Sequence, residues 1–148
     1  MGLFDSLFGD PSATTRELTR QEAFAGILLG AGCCDGRVSE KEVQGLFTIT
    51  ERMKLFENVS PHKWNGMMAV LVKAIERDGV TRLVDRCAAV LPDSLRDCAF
   101  ANACDIVLAD GVVETEERAF LDGLRRALDL DRDTARTIVD VMIAKNKG

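Results

Sequence analysis

Tyrosine is absent from this 148-residue chain, tryptophan and histidine occur once each, and aromatic residues make up only 5%. Proline appears three times. Runs of β-branched residues are few, while alanine, leucine and glutamate are plentiful, so the composition points to helix rather than sheet. A basic excess is also lacking. The formal net charge is −5, which leaves no electrostatic footprint for nucleic acid. No apolar run approaches the roughly 20 residues needed to cross a bilayer. The first residues show no basic region, long apolar core and small-residue cleavage site, so a secretion signal is not expected and the protein is read as cytoplasmic.

No Cys-x-x-Cys pair exists. The five cysteines, Cys33, Cys34, Cys87, Cys98 and Cys104, are an odd number, and most sit among apolar residues at helical spacing. They read as small core residues of a protein from a reducing compartment. His62, beside Pro61 near a helix start, reads as a surface residue rather than a catalytic base. A nucleophile elbow, a P-loop and a Rossmann glycine pattern are all missing. Together these features point away from an enzyme. Thiol-based reduction through Cys33 and Cys34 is the remaining enzymatic alternative.

What is present is ordinary globular material, 47% hydrophobic and 29% charged. The negative charge is concentrated. Between Asp105 and Asp133 lie nine acids and four bases, so that stretch carries all of the formal excess and favours cations and basic partners. The body reads as seven helices of an all-α bundle with short connections. Thr19-x-x-Glu22 and Ser39-x-x-Glu42 are capping boxes, and Ser60-Pro61 is an N-cap followed by proline at the first helical position. Phe24, Ile27, Leu28 and Ala31 mark the inward face of the first helix. Trp64, Met67, Met68, Leu71, Val72 and Ile75 mark that of the third. Ahead of the body, Leu3, Phe4, Leu7 and Phe8 form a short amphipathic element over residues 1–12. It is read as a flap on the body, with docking to a membrane partner as the alternative.

One pattern occurs twice. Asp35-Gly36-Arg37-Val38-Ser39-Glu40-Lys41-Glu42 and Asp110-Gly111-Val112-Val113-Glu114-Thr115-Glu116-Glu117 both read D-G-x-V-x-x-x-E, 75 residues apart. Each follows an alanine-rich helix and opens another. The repetition predicts duplicated helical hairpins about a pseudo-two-fold axis, with halves at about 19–91 and 93–145 of one domain. Two readings of the pattern stand. In one, glycine turns the chain, Asp accepts backbone N–H groups, and Glu caps the next helix. In the other, Asp35, Glu42, Asp105, Asp110, Glu114 and Glu117 supply oxygens to a divalent cation, with Ca²⁺ or Mg²⁺ preferred over Zn²⁺. The preceding positions lack oxygen side chains, so neither copy is an EF-hand.

At these residues the sequence resembles the TerB-like family of bacterial tellurite-resistance proteins. The likeness rests on the opening Met1-Gly2-Leu3-Phe4-Asp5 and on alanine-rich helices ending in Asp35-Gly36 and Ala109-Asp110-Gly111. The stretch from Asp105 to Gly111, followed by Glu117 and Leu121, is the nearest match, and the similarity runs from about Arg20 to Met142. The resemblance implies an all-helical fold of about seven helices with internal pseudo-symmetry. It further implies a cytoplasmic protein of a tellurite- or metal-stress system; with the catalytic motifs missing, the expected role is a non-enzymatic interaction module with an acidic surface. Its expected partners are other tellurium-resistance or stress proteins, some of them membrane-embedded. Metal binding by Asp35, Glu42, Asp110 and Glu117 is implied as well. Gly30 stands where the second copy has Asp105, and Cys33 and Cys34 replace plain aliphatic or alanine residues. Both departures weaken a first-half cation site.

Overall fold

A computed structural model describes residues 17–109 and 111–148. Among them are seven α-helices, one short 3₁₀ turn and no strand. The helices are α1 (Arg20–Gly32), α2 (Glu40–Thr50), α3 (Pro61–Asp78), α4 (Val80–Val90), α5 (Asp93–Leu108), α6 (Thr115–Ala127) and α7 (Arg132–Lys145). The helix starts follow local chemistry. Thr19 and Ser39 each accept a backbone N–H from the glutamate three residues on, and that glutamate reaches back to the cap. Ser60 caps α3 ahead of Pro61, and the Asp131 carboxylate accepts two N–H groups at the start of α7.

α1 lies at the centre and packs against α2, α3, α4, α5 and α6. The sequence predicts one inward face for it. In the structure every residue from Glu22 to Ala31 is buried. Ten residues without an exposed polar face make a helix that is stable only when sheathed on all sides. The sheath comes very close at Gly26, where a Cβ would lie 2.5 Å from the Cys87 sulfur of α4.

An aromatic ladder ties the first half together. The ring of Phe24 meets Phe56 of the 3₁₀ turn, Phe56 meets Trp64 of α3, and Trp64 meets Phe47 of α2, all edge-to-face at 5.6–6.1 Å. Arg96 of α5 joins three helices by donating to the Ala88 carbonyl of α4 and the Leu128 carbonyl at the end of α6. A guanidinium suits these positions because the carbonyls at helix C-termini carry partial negative charge.

The apolar core is one contiguous cluster that draws on both halves of the chain. Coverage is thinner at its C-terminal end. Phe120, Leu121, Ile138, Val139 and Met142 are only half-buried, whereas Leu124, Leu128 and Ala135 are buried. The cause is architectural. After its elbow the first half continues with α2, α3 and α4, whereas the second has only α6 and α7. Among the described residues, the face between those last two helices is therefore left without a covering helix. The residues 1–12 element lies outside the described residues.

Candidate functional site: two acidic elbows

The α1–α2 and α5–α6 connections are built alike. Gly36 and Gly111 both adopt positive φ, at 87° and 79°, which a Cβ would strain. The Gly36 N–H donates to the Cys33 carbonyl at 2.7 Å, and the Gly111 N–H to the Leu108 carbonyl at 3.0 Å. Those acceptors are themselves 75 residues apart. Three residues beyond each glycine sits an N-cap, Ser39 in one elbow and Glu114 in the other, and each begins a capping box. The Ser39 N–H donates to Glu42 Oε2 at 3.1 Å, and the Glu114 N–H to Glu117 Oε1 at 2.8 Å. Val38 and Val113 are half-buried and pin the turns to the core.

The sites expected for a cation are occupied by these local tasks. Asp35 Oδ1 accepts the Arg37 N–H at 3.0 Å, closing the turn from an exposed position. Glu42 serves its cap and also accepts the Cys33 thiol S–H at 3.1 Å. Asp105, expected to support the second elbow, is turned to the chain's end. Its Oδ1 accepts from Lys145 Nζ and from Asn146 Nδ2, both at 2.9 Å. Burial opposes its charge, but the hydrogen bonds from Asn146 and Lys145 outweigh that and hold its carboxyl below the ordinary range. Among the described residues no three His, Cys, Asp or Glu side chains stand together as a metal site. Asp110, the remaining candidate, lies outside those residues.

The two elbows are neighbours in space. Cys34, half-buried in the first, has its thiol pushed up by burial and then by the carboxylates of Glu117, Asp35 and Glu116. Glu116 and Glu117 belong to the second elbow, so negative groups from both copies act on one point. Gly30 makes the approach possible: a Cβ there would come within 3.3 Å of the Phe120 ring of α6.

The cysteines are all free. Cys33 is pushed well up by burial and by its hydrogen bond to the Glu42 carboxylate. Burial takes Cys87 and Cys104 to about 12. Cys98 is raised by burial and by the charge of Asp97. Thiolate is the reactive form, so all five are expected to react more slowly than an ordinary exposed cysteine. In a thiol titration with an aromatic disulfide at pH 7.5, the native protein is expected to react slowly at the half-buried Cys34 and Cys98. The other three should react only after guanidinium is added. Rapid modification of Cys33 would contradict this assignment. His62 is exposed.

The Cys33–Glu42 contact was not foreseen from sequence, because it depends on how α1 and α2 cross. Comparison with protein-family models, with curated proteins and with solved structures finds no match in any of the three.

Proposed function

We propose that the protein is a non-enzymatic interaction module of a tellurite- or metal-stress system, in which duplicated hairpins present their two acidic elbows as one docking face for a basic partner. One observation carries the docking role: turns with the same glycine geometry, hydrogen bond and capping box recur 75 residues apart, close enough for Glu116 and Glu117 to act on Cys34. The stress setting and the class of partner rest on the TerB-like resemblance of the sequence. Thiols that burial holds above their ordinary range support a role without bond-making. No helix of the described residues is long and apolar enough to cross a membrane, so a membrane-embedded partner would be met from outside the bilayer. The proposal needs no cation, because Asp35, Glu42, Asp105 and Glu117 already hold N–H and S–H donors.

The test is tellurite tolerance of cells expressing the protein. Asp35→Asn combined with Glu116→Gln removes two elbow charges and leaves both capping glutamates in place. Tolerance is expected to fall towards that of empty vector while the melting temperature stays unchanged. Full tolerance in the double variant would defeat the docking face. Wild-type tolerance no better than empty vector would defeat the stress assignment.

A further inference from the structure

The open face at the C-terminal end has the opposite electrical character from the elbows. α6, α7 and the end of α5 enclose a cleft of about 650 Å³. Leu121 and Val139 form its recessed floor, and Ile143, 42% exposed, continues it to the surface. Four arginines, Arg118 and Arg126 of α6 and Arg132 and Arg136 of α7, stand exposed around it. None of the four is in an ion pair among the described residues. Arg125 also lines the cleft but donates to the Leu130 carbonyl at 3.1 Å and so belongs to the turn. Asp122 is the single acid among the described lining residues.

In a chain of net charge −5, four guanidinium groups without an ion-pair partner among the described residues, set around one apolar recess, are a concentrated feature. Arginine is enriched in protein interfaces, where its planar fork matches a carboxylate. A groove between two helices with an apolar floor accepts the apolar stripe of a third. A flat bilayer surface suits it less, because Leu121 and Val139 are half-buried within a concave cleft.

We infer that this cleft docks an acidic amphipathic helix of a partner protein, with the helix's apolar stripe on Leu121, Val139 and Ile143 and its carboxylates on Arg118, Arg126, Arg132 and Arg136. The cleft borders the second elbow at Val113, but none of Cys34, Asp35, Glu116 and Glu117 lines it and its charge is opposite, so it stands or falls independently of the elbow surface.

The probe is a fluorescent peptide of about fourteen residues, with leucine at i, i+3, i+4 and i+7 and glutamate elsewhere. It is titrated against the full chain by anisotropy. Saturable binding is expected, weakening as salt rises from roughly 50 to 300 mM. Arg126→Glu with Arg136→Glu should weaken it by about tenfold or more. Ile143→Glu, at an exposed position, should do the same through the floor. Arg82→Glu, on an exposed position of α4 away from the cleft, should leave binding unchanged. All variants should melt as wild type does. Absence of saturable binding, or equal weakening by Arg82→Glu, would overturn the inference. Phosphatidylglycerol vesicles captured with the same dependence on Arg126 and Arg136 would overturn it in favour of a membrane.

Discussion

Trp64→Ala is expected to destabilise the protein by about 3–5 kcal/mol. The side chain is 3% exposed and is one of the two inner rings of the four-ring aromatic ladder. Its removal deletes the apolar area of an indole and leaves a void between α2, α3 and the 3₁₀ turn. Two edge-to-face contacts disappear as well, with Phe47 at 5.6 Å and Phe56 at 6.0 Å. A domain of this size is typically stable by only about 5–15 kcal/mol, so the loss takes a large share of the total. Urea unfolding followed by far-ultraviolet circular dichroism measures it, because the substitution also removes the only tryptophan. Trp64→Phe keeps most of the ring area and should cost much less. A loss below about 1 kcal/mol for Trp64→Ala would mean that the three elements do not depend on this ring.

The second large effect falls on a residue with no side chain. Gly26→Val should cost about 3 kcal/mol. Its Cβ would sit 2.5 Å from the Cys87 sulfur and 3.2 Å from a Leu71 methyl, and both partners are fully buried. Valine gains little helix propensity with which to offset the collision. Gly45 in α2 supplies the contrast. A Cβ there meets nothing within 4 Å, and the position is exposed in a helix interior. Gly45→Ala should therefore stabilise by about 0.5–1 kcal/mol. Paired denaturation curves settle the comparison: the two substitutions must move the midpoint in opposite directions. Cys87→Ala in the Gly26→Val background should recover part of the loss, because it removes the sulfur that the new Cβ strikes.

Features that depend on neighbours in the chain were legible from sequence. Thr19, Ser39 and Ser60 announce helix starts because a cap and the N–H groups it satisfies lie within one turn. The elbows were legible because glycine at a positive-φ position and a glutamate at the third helical position are local requirements. Contacts that depend on how helices cross were not. Asp105 reads as a partner of the nearby Asp110 and Glu117, yet it is bound by Lys145 and Asn146, some forty residues on. Phe56 lies in a stretch with no helical period, so nothing in its surroundings marks it as the link between Phe24 and Trp64. α1 was read through a one-face template, although its run from Ala23 to Gly32 contains no polar side chain. Charge averaging hid the arginine rim, because Arg118, Arg126 and Arg132 sit in the most acidic stretch of the sequence. The i,i+8 spacing of Arg118 and Arg126 on α6 and the i,i+4 pair Arg132 and Arg136 on α7 were the available signal.

The sheathed helix has a consequence for biosynthesis. α1 emerges from the ribosome long before α4 and α5, the helices that complete its cover. Until they arrive, the nascent chain displays a greasy segment that cannot shield itself. The native contacts that hide it join distant parts of the polypeptide, which slows their formation relative to a simple up-and-down bundle. Expression at lower temperature, or alongside a holdase chaperone, should therefore raise the soluble yield more for this protein than for a bundle whose first two helices bury each other.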